Sequence, residues 1–247
     1  MKVSALLALL ASIVPCYSLA SNPSNSKMEL SYFNLRGAAE SARILLALGK
    51  MEYEDVRFDL TPGKMESPAF NEAKENGVLK MNLNRAPILK TEEGVVIGQS
   101  KAIERYLARR LGLMGSNDTE EALVDCIAEH CRDVRDAQMR KRFSAFVKDR
   151  SDEEKEESRK EWFDEEMPAM LVKINDVVKE TGTPGFAVGE KSSLADVAIF
   201  SLLRDCYDLE DTAEAAKSCE ALNAIADTIA NDPNVSKWLE SRPATFF

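Results

Sequence analysis

The sequence predicts two domains of different class, a mixed α/β unit followed by an all-helical one. Three observations carry that prediction. Strand-like runs of apolar residues occur only between about residues 28 and 108. From about residue 120 the apolar positions recur at helical spacing instead. Between the two, "LGLMGSNDTE" has the polar, glycine-containing character of a linker. A chain of 247 residues with 45% hydrophobic content can fill two modest cores. We therefore expect an α/β domain over 28–110, a linker over 111–119 and a helical domain over 120–247.

Taken in order, "MELSYF" alternates as a strand does, and "ESARILLALG" has helical spacing that stops at Gly49. "YEDVRFDL" reads as a second strand, and "TPGKMESPAFNEAKENG" as a loop carrying a short helix. "RAPILKTEEGVVIG" is a hairpin pattern, two apolar runs around the turn Glu92-Glu93-Gly94. "QSKAIERYLARRLG" then places Ile103, Leu107 and Leu111 on one helical stripe. In the second half, "EEALVDCIAEHCRDVRDAQMRKRFSAFV" runs as one long amphipathic helix. "MLVKINDVVKE", "SSLADVAIFSLLRDCYDL", "EALNAIADTIAND" and "VSKWLESRP" supply further helices, and Ser193-x-x-Asp196 is a capping pattern. The charged run "KDRSDEEKEESRKEWFDEE" reads as a solvated helix end.

The first 20 residues stand apart. Lys2 precedes an apolar run broken by Pro15, and Ser18-Leu19-Ala20 is a small-x-small cleavage pattern, so 1–20 reads as a secretory signal peptide and 21–27 as a polar linker. The run falls short of the ~20 apolar residues a membrane span needs, so no membrane attachment is expected once the leader is gone. The expected destination is the secretory pathway or an organelle, with the cytoplasm as the alternative.

Lys and Arg total 32 against 42 Asp and Glu, a net charge of −10, with no basic block. Phosphate backbones and anionic lipid repel such a surface, which argues against nucleic acid as a partner. Four cysteines follow the leader: Cys126, Cys131, Cys206 and Cys219. On a helix Cys126 and Cys131 point about 140° apart, and none has metal-ligand spacing. A secreted protein could pair them; buried free thiols are the preferred reading, and no metal is expected.

Three stretches carry candidate chemistry. Tyr32 ends the first strand, where a phenol is most often core filler with a satisfied hydroxyl. Pro87 opens an apolar strand, and because only about 5–6% of X–Pro bonds are cis, the sequence alone gives a trans Ala86–Pro87 bond. Were it cis, the Ala86 peptide groups would offer an edge to an extended peptide ligand. Gln99 and Ser100 open a helix, whose free N–H groups attract carboxylates, although Ser100 also fits a plain N-cap.

Their order resembles the cytosolic-type glutathione transferases, and "YFNLRGAAE" resembles the "YFNxRGRAE" pattern of the sigma class, which includes glutathione-dependent prostaglandin D synthases. The resemblance runs from about residue 28 to the C-terminus, and "SSLADVAIF" is similar to the family's helical-domain capping motif. It implies a thioredoxin-like N-terminal domain, an all-α C-terminal domain and a homodimer. It implies glutathione as co-substrate and a small hydrophobic electrophile as second substrate. By the resemblance, Tyr32 is the catalytic residue and donates to the glutathione sulfur. Ala86, beside Pro87, pairs with the cysteinyl backbone, and Gln99 and Ser100 hold the γ-glutamyl carboxylate. Arg85 reaches the glycine carboxylate, and Asp133 contacts the γ-glutamyl amine across the dimer; its other reading is a solvent-facing helix acid.

Two departures stand out. The family's second arginine is Ala38 here, leaving Arg36 as the nearest substitute. The family's tryptophan and lysine before the Ala-Pro pair have only Phe70 and Lys74 as nearest equivalents. A non-catalytic binding or structural protein on the same scaffold is the alternative reading.

Overall fold

A computed structural model describes residues 27–245 except Gly63, Met65 and Tyr207. The expected leader, and all but the last residue of the linker after it, lie outside the described residues. Strand β1 (Met28–Phe33), helix α1 (Glu40–Leu48) and strand β2 (Tyr53–Phe58) form a parallel βαβ unit, with Met28 opposite Tyr53 and Phe33 opposite Phe58. After α2 (Pro68–Glu75) come the hairpin strands β3 (Ile88–Lys90) and β4 (Val96–Gly98), then α3 (Ser100–Arg110). The sheet order is β2-β1-β3-β4, with β3 antiparallel to β1 and β4 antiparallel to β3. This is the thioredoxin-like arrangement.

Apolar faces decide which helices cover which side. Ile44, Leu45 and Leu46 of α1 and Ile103 and Leu107 of α3 join Met28 and Leu30 in the main core. Phe58, Leu79 and Ile88 form a second, smaller cluster with Phe33, Phe70 and Ala73, so α2 covers the other side.

The named elements of the second half are all helices, with one isolated bridge between Gly182 and Gly189. Helix α4 (Asp118–Lys141) is capped by Asn117, whose side chain accepts from the Thr119 and Glu120 N–H groups. It ends six residues before the sequence pattern does. Arg142 turns left-handed at φ 56°, and the Lys141 carbonyl accepts from Arg150 (2.6 Å) and Ser158 (3.0 Å) instead of from another turn of helix. The charged run forms α5 (Asp152–Glu161), begun by a Ser151/Glu154 capping box, and a π-helical turn over Trp162–Glu166 buries Trp162 and Phe163.

Helices α6 (Met167–Thr181), α7 (Leu194–Arg204), α8 (Leu209–Ala215), α9 (Glu220–Ala230) and α10 (Pro233–Ser241) complete the domain. Helix α8 has seven residues, too short for a periodic signal, and the sequence reading passed over it. Buried α7 carries the Ser193/Asp196 box at its start, as the sequence pattern indicates. The four described cysteines are free, but only Cys131 and Cys219 are buried; Cys126 is exposed and Cys206 half-buried, which corrects the uniform expectation. One apolar core runs from the sheet through α1 and α3 into α4, α6, α7 and α9.

Candidate active site

Strand polarity gathers the candidates. Because β3 runs against β1 and β4 against β3, the end of β1, the start of β3 and the end of β4 share one edge of the sheet. Tyr32, Ala86, Pro87, Gln99 and Ser100 all lie on that edge. Ser31 faces Ile88 in the register, so Tyr32 comes level with Pro87.

Tyr32 is half-buried, and its ring meets Phe33 edge-on at 5.5 Å. Its hydroxyl accepts a hydrogen bond from the Ala38 N–H at 3.2 Å. The phenolic proton therefore stays available for another acceptor. Gly37 makes this geometry possible: its φ is +41°, and a Cβ there would lie 2.8 Å from the Tyr32 hydroxyl.

The Ala86–Pro87 bond is cis, which corrects the trans expectation; that preference is a property of short X–Pro segments and carries no tertiary term. Asn82, buried ahead of it, was not singled out by sequence. Its amide donates to the Pro87 carbonyl at 2.9 Å and accepts from the Gln99 N–H at 3.1 Å. One side chain thus fixes both the Ala-Pro corner and the entry to α3. Gly98 lets it approach, since a Cβ there would lie 2.6 Å from the Asn82 Cβ.

Gln99, at φ +68°, is the N-cap of α3, and Ser100 is its first residue rather than the cap. Gln99 is exposed and Ser100 half-buried at the free N–H groups of the helix. Arg85 is exposed beside the same edge. Asp133 is exposed on α4. Phe70 is half-buried against the smaller cluster, 4.8 Å from Phe33 and 5.8 Å from Phe58, while Lys74 is exposed in the last turn of α2.

Behind Tyr32 lies a ring of ions that sequence reasoning missed. Arg36 pairs with Asp205 at 2.6 Å, and Arg242 bridges Asp205 (3.0 Å) and Glu40 (2.9 Å). Glu40 also accepts from Trp238 Nε1 at 2.9 Å and pairs with Arg43 at 3.1 Å. Arg43 closes the ring on the Leu35 carbonyl at 2.7 Å. The turn after Tyr32 is therefore held by α1, by the end of α7 and by the residue after α10. The Arg36 charge is engaged by Asp205 within this ring. The Glu-x-x-Arg spacing in α1 was the available sequence signal; its partners at 205 and 242 are remote.

Among the described residues no group of three or more His, Cys, Asp or Glu is arranged to hold a metal ion, and no helix is long and apolar enough to cross a membrane. The donors present at the sheet edge are a phenol, a peptide edge and a helix N-terminus. They suit a thiol-bearing peptide with a free carboxylate.

Comparison with known proteins agrees with that chemistry. Residues 28–109 match the glutathione S-transferase N-terminal domain and 137–242 the glutathione S-transferase C-terminal domain. Glutathione S-transferase P 10 of Caenorhabditis elegans is 32% identical over 216 residues, 87% of this chain and 92% of the relative. S-crystallin 4 of Enteroctopus dofleini is 29% identical over 88% of this chain and 98% of its own. A monomeric glutathione S-transferase of Necator americanus superposes with a TM-score of 0.73 at 25% identity, covering 90% of this chain and all (100%) of that one. The chain belongs to the glutathione S-transferase family, and glutathione is its co-substrate.

Proposed function

We propose that this chain is a tyrosine-type, sigma-like glutathione transferase in which Tyr32 ionises the glutathione thiol. One observation carries the reading: the Tyr32 hydroxyl accepts from Ala38 N–H, keeping its own proton to donate, at the edge that also holds Ala86, Pro87, Gln99 and Ser100. A free thiol ionises near pH 8.5, so little thiolate exists at neutrality. Lowering that value by about two units takes about 2.7 kcal/mol. A hydrogen bond to a charged group supplies about 1.5–3 kcal/mol, so one phenol accounts for most of it.

The thiolate then attacks an electrophilic carbon. With an aryl halide, the C–S bond forms and halide leaves with the C–halogen pair; with an enone, the π pair moves to oxygen and a proton follows. Ala86 holds the cysteinyl backbone, Gln99 and Ser100 the γ-glutamyl carboxylate, and Arg85 the glycine carboxylate. Peroxide reduction is a second use of the same thiolate. Tyr32→Phe should lower kcat/KM with chlorodinitrobenzene about 100-fold, the same ~2.7 kcal/mol, with little change in glutathione KM. Equal turnover by the two proteins would refute the reading.

A non-catalytic binding role is the second reading, favoured by Ala38 in place of the family arginine and by engagement of Arg36 with Asp205. Retention on a glutathione matrix without turnover would select it.

Homodimerisation belongs to the same proposal. Met81 and Leu83, 67% and 76% exposed, stand beside the site on the loop before β3, and Asp133 is exposed on α4 to meet a partner's tripeptide. Leu83→Glu should convert a dimer to a monomer in sedimentation; a native chain that sediments as a monomer removes this part of the reading. Residues 1–20 are read as a secretory leader, which predicts a mature N-terminus at Ser21.

A further inference from the structure

Helix α4 packs on α7, and Asp205 and Asp208 stand between α7 and α8. Two sets of contacts locate Arg135 relative to the sheet edge. Between α3 and α4 the ion pairs form a ladder: Arg109 with Glu121, then Arg105 with Asp125 and with Glu129. The ladder descends α3 as it climbs α4, so its continuation brings the α4 turn holding Arg135 level with Lys101 and Ser100, at the start of α3. The second set comes from the other side. Gln138, one turn beyond Arg135, donates to Asp208 at 3.1 Å, and three residues earlier Asp205 takes Arg36 from the Tyr32 turn. Arg135 thus stands between the helix N-terminus that opens at Ser100 and the segment that touches the Tyr32 turn. Its charge acts on groups from both sides. Burial pushes the Glu104 carboxyl and the Cys206 thiol up, and Arg135 opposes both shifts.

Charge accounting singles this residue out. Asp205 is matched by Arg36 and Arg242, and Asp208 by Arg159. Glu104 is taken by Lys101 at 2.8 Å. Arg135 is half-buried and has no hydrogen bond or ion pair among the described residues. A half-buried guanidinium costs desolvation energy and keeps its donors in a planar fork suited to a carboxylate.

We propose that Arg135 binds a carboxylate on the electrophile, making electrophiles with a remote acidic group the preferred second substrates. The inference rests on the conjugation reading above, and it adds a remote carboxylate to the small hydrophobic electrophile expected as second substrate.

Two matched enones test it: benzylideneacetone and its para-carboxylate, conjugated to glutathione by the native chain, Arg135→Gln and Arg135→Lys. Arg135→Gln should raise KM for the carboxylated enone about tenfold, as expected for loss of one charge-assisted pair. The neutral enone and the glutathione KM should be nearly unchanged, and Arg135→Lys should recover part of the loss. An equal effect on both enones overturns the proposal, because the residue then only supports the fold. A change confined to glutathione KM also overturns it, because the cation then serves the tripeptide's own carboxylate. If the native chain conjugates chlorodinitrobenzene but neither enone, this proposal fails alone; if it binds glutathione but turns over none of the three, the conjugation reading fails and takes this proposal with it.

Discussion

At the scale of single residues, the site depends on close approach. Gly37 combines a left-handed backbone with a position directly over the Tyr32 hydroxyl. An alanine there faces about 1–2 kcal/mol of backbone strain and displaces the phenol. Gly37→Ala should therefore depress activity more than stability: kcat/KM with chlorodinitrobenzene falls at least about tenfold while the melting temperature drops by a few degrees. Steady-state kinetics and a melting curve on the same preparation check this; unchanged kcat/KM would show that the phenol tolerates displacement. Ala38 acts through its backbone N–H, so Ala38→Ser should leave the Tyr32 contact in place.

At the scale of elements, two devices set the ends of helices. Asn82 ties the Ala86–Pro87 corner to the start of α3 through two hydrogen bonds. Asn82→Ala leaves a buried carbonyl and an N–H unpaired, at a cost of about 1–3 kcal/mol each. Glutathione KM should rise in that variant while the Tyr32-dependent ionisation, read from the pH profile of kcat, stays in place. The second device is the α7 cap. The Asp196 carboxylate accepts from the Ser193 N–H at 2.9 Å and hydroxyl at 2.5 Å, and from the Ala187 N–H at 2.9 Å. Burial nevertheless pushes this carboxyl up to about 6, outweighing those bonds. An unfolded aspartate titrates near 3.9, so between those values the folded state holds the proton more tightly. The resulting stability is full below about pH 4 and is lost as pH rises through about 6. The native chain should therefore lose on the order of 3 kcal/mol relative to Asp196→Asn across that window. Denaturant titrations of both proteins at several pH values measure it; a difference independent of pH would rule the linkage out.

At the scale of the whole molecule, the ion ring fastens the two domains together behind the site. Glu40 and Asp205 are almost wholly buried, with side chains 3% and 4% exposed. Glu40→Ala takes one carboxylate from Arg43, which keeps Asp55, and one from Arg242, which keeps Asp205, so its cost should fall at or below the about 3–5 kcal/mol of a fully stranded buried charge. Arg242 is the residue just past α10, so truncation after Ser241 should destabilise the chain and loosen the Tyr32 turn together. Thermal unfolding and the pH dependence of kcat/KM in the truncated protein would show both effects; an unaltered pH profile would separate the ring from the chemistry.

Features that depend on short spacing are readable from the residues alone. The strand ending at Tyr32, the hairpin around Glu92–Gly94, the α3 stripe and the Ser193/Asp196 cap are written in neighbouring residues, so period and capping chemistry disclose them. The candidates at 32, 86, 87, 99 and 100 were legible for the same reason: each sits at a junction that local pattern marks. What distant residues settle jointly emerges only in the folded chain. The Pro87 isomer, the early end of α4 at Lys141, the packing of Phe70 on Phe33 and Phe58, the Asn82 link and the Arg36–Asp205–Arg242–Glu40 ring depend on partners brought together by folding. The energy of each lies in contacts between elements, and local propensity contains no term for those.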